Sequence, residues 1–257
     1  KLEHADIDAV LESDPDALDA LGRNRIEQFS WKDLLDLDAC VNCGRCESVC
    51  PAHASGVPLS PRKLIQDMQH HLSSVGPRLL TAAATGADAP ERQPLLGDGE
   101  GGASLPAVLE EEIWGCRTCG ACQRECPMFI EHIPKIIDMR RHLVMTEAKM
   151  GESAQTFLKN IDERMHPFAG SSRDREEWFE DLDVKVFGRG DTAEYLYWVG
   201  CAGAMIDRNI AVSRALVRVL QAAGVDFALL GAEESCSGDP ARRVGNELTY
   251  QVCAKSN

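Results

Sequence analysis

Cys40-Val-Asn-Cys43-Gly-Arg-Cys46-Glu-Ser-Val-Cys50-Pro51 and Cys116-Arg-Thr-Cys119-Gly-Ala-Cys122-Gln-Arg-Glu-Cys126-Pro127 are the two stretches whose reading decides this fold. Both follow the spacing C-x2-C-x2-C-x3-C-P, which arranges cysteine thiolates around iron–sulfur clusters. Together they account for eight of the eleven cysteines. Two-residue spacers let three successive sulfurs converge on one centre, and soft thiolates suit iron–sulfur chemistry. Zinc is the competing occupant, because C-x2-C pairs also bind it. Each run, however, offers a triplet with C-x3-C-P attached, which favours clusters. A disulfide scaffold is disfavoured, since dense disulfides mark small secreted domains and this chain has 257 residues.

The fourth ligand of each cluster has to come from elsewhere in the fold. In two-cluster ferredoxins, which these runs resemble, it is the last cysteine of the opposite run. On that pattern one 4Fe–4S cluster takes Cys40, Cys43, Cys46 and Cys126, and the other takes Cys116, Cys119, Cys122 and Cys50. Cluster assembly and folding of this domain are then linked. Pro51 and Pro127 restrict the backbone after the last cysteine, and Gly44 and Gly120 leave room for close approach to sulfur. Arg45, Arg117 and Arg124 lie within the loops, either as cationic tuners of cluster potential or as ordinary surface arginines. His53 is a weak candidate for a contact behind the ligands, and His70-His71 reads as a solvated pair.

Composition narrows the class. The formal charge is -14, with no basic stripe, which excludes a nucleic-acid surface. Cluster thiolates imply a reducing compartment, and no apolar run of eighteen residues or signal peptide is present. The chain begins at Lys1 and ends at Asn257 in a helical pattern, so it reads as a piece of a longer polypeptide.

The fold class expected is mixed: an α-helical ferredoxin domain followed by a partial α/β cysteine-rich domain. Residues 1–38 form a helical lead-in, and 39–165 form the two-cluster domain. Within it, a helix starts at Pro61 with Ser60 as cap, carrying Leu64, Ile65, Met68 and Leu72 on one face. Residues 81–104, rich in Ala, Gly and Pro, are expected to be a mobile insertion. A helix is expected to run past Ile136, Ile137, Met139, Leu143 and Val144 to about Met150, and a shorter one over 152–165. Residues 166–192 form an irregular linker anchored by Trp178 and Phe179.

Residues 193–257 change character. Tyr195–Val199 reads as a buried parallel strand, Asp207–Ala223 as a helix and Val225–Leu230 as a second strand, which makes a βαβ unit. Cys201 and Cys236 follow the two strands at one sheet edge, where open α/β sheets place ligands. They can share a metal or be free buried cysteines. Cys253, on a further helix, reads as incidental.

At this point a resemblance stands out. The two cysteine runs, then Tyr197-Trp-Val-Gly-Cys201-Ala and Glu234-Ser-Cys236-Ser-Gly-Asp-Pro-Ala-Arg-Arg-Val-Gly-Asn-Glu247, resemble the iron–sulfur oxidoreductases related to heterodisulfide reductase. That family includes the iron–sulfur subunits of glycolate and lactate oxidation systems. The chain looks most like the membrane-associated members that take electrons from electron-transfer flavoprotein and pass them to quinone. The resemblance implies a flavoprotein electron donor and a quinone or membrane subunit as acceptor. It also implies a location on the cytoplasmic side, with membrane association through segments outside this chain, where haem is often carried. The family's cysteine-rich domain follows a C…CCG…CxxC pattern. Cys201 and Cys236 match its first two cysteines, Ser237 replaces the next one, and the closing CxxC would lie past Asn257. A third iron–sulfur cluster on Cys201 and Cys236 is therefore incomplete within this chain. Two alternatives are a thiol–disulfide reductase acting at the cysteine-rich domain and a non-catalytic structural metal module.

Overall fold

The computed structural model describes residues 21–86, 93–99, 106–188 and 190–257. The first twenty residues of the expected lead-in, and much of the expected insertion, lie outside the described residues. The chain divides into two compact units, residues up to Lys149 with Arg243–Gly245, and Met150–Arg242 with Asn246–Asn257. Among the described residues no helix is long and apolar enough to cross a membrane.

The first unit is mostly helical. Ser30 caps the helix Trp31–Asp38 by accepting from the Asp33 N–H, while the Asp33 carboxylate accepts from the Ser30 N–H. This helix delivers the chain to Cys40. The helix Pro61–Thr85 starts as its sequence dictates, with Ser60 accepting from the Lys63 N–H at 3.1 Å and proline in the first turn. It buries Leu64, Ile65 and Met68 against Ile26, Phe29, Leu37, Ile113, Ile130 and Ile136, with Leu72 packed at the edge. The expected mobile insertion needs correction at both ends of its described parts. The helix continues to Thr85, and Leu95 and Leu96 are buried in the core, with Leu96–Gly97 (β1) pairing in parallel with Val108–Leu109 (β2). A leucine pair surrounded by loop-forming residues is held there by burial and nonlocal pairing. Past Cys126, the helix His132–Arg141 passes into a π-helical turn, His142–Thr146, so it ends before the expected Met150.

The helix Glu152–Arg164 opens the second unit, rather than closing the first as expected. Residues expected to form an irregular linker contribute to the core of this unit. Trp178 and Phe179 are buried edge-to-face with centroids 5.2 Å apart, and Lys185–Val186 forms a strand, β3. The sheet is parallel with order β3-β5-β4, where β4 is Tyr195–Leu196 and β5 is Phe227–Leu229. The helix Asp207–Ala222 connects β4 to β5, giving the βαβ arrangement. β5 is buried throughout, but Tyr195 and Leu196 are exposed, because β4 lies at the edge and not in the interior.

Candidate metal centres

The two cysteine loops repeat one backbone path. Asn42 and Thr118, at matching positions, take left-handed φ values of 53° and 51°. Gly44 and Gly120 follow at φ 79° each, opening the short helices Arg45–Ser48 and Ala121–Glu125. Left-handed backbone turns successive N–H groups and side chains inward, and glycine adopts it without steric cost. Cys50 and Cys126 then sit at φ/ψ of −75°/117° and −74°/116°, the extended conformation favoured before proline.

These paths bring the thiols into two sets. Cys40, Cys43 and Cys46 line one cavity together with Cys126 from the other run. Burial pushes the Cys46 thiol up to about 11, and the neighbouring Cys40, Cys126 and Cys43 add to the rise. In the second set, burial pushes Cys122 up to about 12, with Cys116, Cys50 and Cys119 adding to it. Cys116 is raised in the same way, by burial and then by Cys50 and Cys119, against the lowering influence of the Thr118 N–H and Arg140. Crowded thiols resist ionisation alone, and a positively charged iron core bound among them would supply the missing compensation. Amide donors are already in place: Thr118 N–H lies 3.3 Å from Cys116 Sγ, and Ile130 N–H lies 3.4 Å from Cys126 Sγ. The donor set therefore fits iron–sulfur clusters. Among the described residues no group of three or more His, Cys, Asp or Glu is gathered as around one metal ion. Thiolates that would hold a cluster need not meet at one point, as the ligands of a single ion must.

Buried charges hold each set from behind. Lys135, fully buried, donates from Nζ to Asp36 at 2.7 Å, to Asp33 at 3.1 Å and to the Glu131 carbonyl at 3.2 Å. It thereby ties the helix leading to Cys40 to the segment following Cys126. Burial pushes the Asp33 carboxyl up, but the Ser30 hydroxyl and Lys135 outweigh this and hold it below the usual range. His132, lining the same cavity, is driven down to about 4 by burial and so is neutral, with Nδ1 3.1 Å from the Ile130 carbonyl. Behind the second set, buried Arg140 donates to the Cys116 carbonyl at 2.6 Å and to the Ile113 carbonyl at 2.7 Å. Arg45, Arg117 and Arg124 are exposed, as is His53, and the buried cation that bears on Cys116 is Arg140. His71 is half-buried, with its pKa lowered by burial, and so is not the solvated residue expected.

In the second unit, Cys201 lies in the first turn of the helix Gly200–Met205 just after β4, and Cys236 follows β5. The structure brings them together and adds Cys253. The neighbouring Cys201 and Cys253 thiols lower the pKa of Cys236, while Cys236 and burial raise that of Cys201. Cys253 is fully buried beside Cys236. Gly238 makes this approach possible, because a Cβ there would meet Tyr250 O at 2.9 Å and Cys253 Cβ at 3.0 Å. Its N–H reaches Cys236 Sγ at 3.4 Å. Arg175, 2% exposed, donates to Cys201 Sγ at 2.8 Å and to Glu234 at 3.1 Å. Glu234 also accepts from Val199 N–H at 3.0 Å and Gly200 N–H at 2.6 Å, pinning the turn that carries Cys201. A cavity of about 470 Å³ opens onto Cys201, Cys236 and Ser237, walled by Phe157, Phe168 and Trp198.

Both parts of the chain have counterparts among known proteins. The family described as "4Fe-4S dicluster domain" matches residues 39–130, and the one described as "Cysteine-rich domain" matches 195–257. The chain is 42% identical over 260 residues to the EtfAB:quinone oxidoreductase of Syntrophomonas wolfei, covering 93% of this chain and 35% of that protein. It is 42% identical to a "Probable membrane-anchored ferredoxin" of Chromohalobacter salexigens, covering 95% of this chain and 37% of that protein. Identity to a component of the Dihydromethanophenazine:CoB--CoM heterodisulfide reductase of Methanosarcina barkeri is 31%, over 82% of this chain and 48% of that protein. The chain thus spans between about a third and a half of the length of these relatives. No solved structure matches it.

Proposed function

For this relative of the iron–sulfur oxidoreductases, carrying a dicluster domain and a cysteine-rich domain, we propose a role as an electron relay from a flavoprotein to a membrane quinone. Cys40, Cys43, Cys46 and Cys126 hold one 4Fe–4S cluster, and Cys116, Cys119, Cys122 and Cys50 hold the other. The observation that carries this reading is that Cys126 lines the cavity of Cys40, Cys43 and Cys46, while Cys50 lies beside Cys116 and Cys122, across two loops of matching backbone. Clusters bound there supply one-electron chemistry at potentials set by burial and hydrogen bonding. The protein's own part is to gather thiolates, aim N–H groups at Cys116 and Cys126, and keep His132 neutral beside the first set. Cys201 and Cys236, with Arg175 as the cation beside them, hold a third iron–sulfur cluster completed by residues outside this chain. The quinone site and the membrane attachment belong to segments outside it too.

The relatives' names support this reading: one is an EtfAB:quinone oxidoreductase and another a membrane-anchored ferredoxin. The direct test is anaerobic stopped-flow mixing of the full-length protein with reduced electron-transfer flavoprotein, followed by a quinone analogue. Cluster bleaching on the first mixing and recovery on the second are expected. Clusters that stay oxidised in front of the reduced flavoprotein overturn the reading. A thiol–disulfide reductase acting in the second unit is the other reading, favoured by the aromatic-walled cavity at Cys201 and Cys236. Ser237, in place of the motif's second adjacent cysteine, weighs against it.

A further inference from the structure

The two cysteine loops share a backbone path but differ in what surrounds them. Beside the first set stand Val41, 61% exposed, and Met128 and Phe129, 43% and 82% exposed. The matching positions beside the second set are Arg117, Ala52 and His53, of which Arg117 and His53 are exposed and polar and Ala52 is buried. Among these matched positions, only those beside the first set are both apolar and exposed. Trp31 and Leu35, one turn apart on the helix leading to Cys40, are 77% and 57% exposed. The Glu131 N–H donates to Asp36 and the Lys32 ammonium to Glu131, so the segment carrying Met128 and Phe129 is fixed beside that helix. Cys43 is itself exposed, and Val41 and Met128 line the cavity it shares with Cys40, Cys46 and Cys126.

Phe129 adds a second, independent sign. Its φ of 58° is left-handed, where a bulky side chain is an outlier. The turn has a clear purpose, since Phe129 N–H donates to the Cys126 carbonyl and the next N–H, of Ile130, reaches Cys126 Sγ. Glycine or asparagine would serve that turn, as Asn42 and Gly44 do in the first loop. An aromatic ring placed there and turned to solvent is spent on a surface. Aromatic residues and Met are enriched at the centres of protein interfaces.

We infer that the rim formed by Trp31, Leu35, Val41, Met128 and Phe129 is the docking face for the electron-donating flavoprotein, which makes the Cys40 set the entry point for electrons. The inference rests on the relay proposed above and adds where the partner binds. An occupant seated on this rim covers Cys43 and brings its own redox centre against the first set, which a purely structural contact would not require. Residues 21–149 carry 14 Lys and Arg against 17 Asp and Glu, a near-neutral stretch without the basic excess that an anionic lipid surface calls for, and this suits a protein as the occupant.

The test uses full-length, anaerobically loaded protein and reduced electron-transfer flavoprotein as the probe. Phe129→Asn keeps a residue that tolerates the left-handed turn, and Trp31→Ser removes the helix side of the rim. Each is expected to raise the KM for the flavoprotein tenfold or more. Iron content, the spectrum of the reduced clusters and the rate of reduction by dithionite should stay as in wild type. Val212→Ser, on an exposed position of the second unit, serves as control. An unchanged KM in both rim variants, or an equal rise in the control, overturns the inference while leaving the relay standing. Failure of wild type to accept electrons from the flavoprotein removes the relay and the inference together. Binding to vesicles of anionic phospholipid that the rim variants abolish, with KM unchanged, assigns the rim to lipid and overturns it as well.

Discussion

Replacing Lys135 with Met should open the first cysteine set while sparing the second. Its ammonium makes two charge-assisted contacts to buried carboxylates and has no solvent to fall back on. Each such hydrogen bond contributes about 1.5–3 kcal/mol, and breaking a buried pair by removing one partner costs about 3–5 kcal/mol. The cost here falls at the low end, because both carboxylates keep other partners. Asp33 retains Arg23 at 2.9 Å and the Ser30 hydroxyl at 2.6 Å, and Asp36 retains Lys32 at 2.9 Å and the Glu131 N–H at 3.2 Å. A loss of about 3 kcal/mol raises the fraction of molecules with this clamp open by about a hundredfold. The assay is anaerobic release of iron to a chelator, resolved into the signals of the two clusters. Lys135→Met should accelerate loss of the cluster held by the Cys40 set by about that factor. Lys32→Met, whose side chain is 38% exposed, should cost about 1 kcal/mol or less. Equal acceleration at both clusters, or none at either, would refute the reasoning.

Other consequences follow from the same geometry. Arg175→Gln replaces a charged donor on Cys201 with a neutral one. Losing about 1.4 kcal/mol of preference for the reduced, more negative cluster lowers a one-electron potential by about 60 mV, read by a potentiometric EPR titration. Cys253→Ala should leave the iron content intact and shift the same potential downward by a smaller amount, because Cys253 contacts Cys236 without lining the cavity. Iron loss in that variant would make it a ligand. His132 has a folded pKa depressed to about 4, so below about pH 6.5 the unfolded chain takes up a proton that the folded unit refuses. Stability present above pH 6.5 is thus lost on acidification, by about 2 kcal/mol at pH 5, and His132→Gln should flatten that slope in a denaturation series.

Much of the site was legible because it is written in local spacing. The cysteine runs, the glycines at the loop turns, the proline-led helix at Pro61 and the strand–helix–strand order after Tyr195 are set by residues close in sequence. What escaped was set by partners far away. Lys135 follows Glu131 like any surface lysine, and only Asp33 and Asp36, about a hundred residues earlier, reveal it as buried. Leu95 and Leu96 sit among loop-forming residues, and their pairing with Val108–Leu109 leaves no trace in composition. Cys253 lacked any motif spacing, and its approach to Cys236 depends on the missing side chain of Gly238. Arg175 lies in a stretch without periodicity, and its partner Glu234 is 59 residues away. The loop arginines fell within the motif and are exposed, whereas the buried Arg140, which bears on Cys116, fell outside it and had no local signal.

The central claim is that the two runs exchange their last cysteines, so that each cluster is held by three thiolates from one loop and one from the other. The measurement that tests it most directly is the reduced EPR spectrum, with iron and sulfide content, of Cys126→Ser set beside Cys40→Ser and Cys116→Ser. Cys126→Ser is predicted to lose about four iron and four sulfide and to erase the same signal as Cys40→Ser, leaving intact the one that Cys116→Ser removes. A Cys126→Ser spectrum that matches Cys116→Ser instead, or a wild-type protein holding stoichiometric zinc and no iron, would contradict the account.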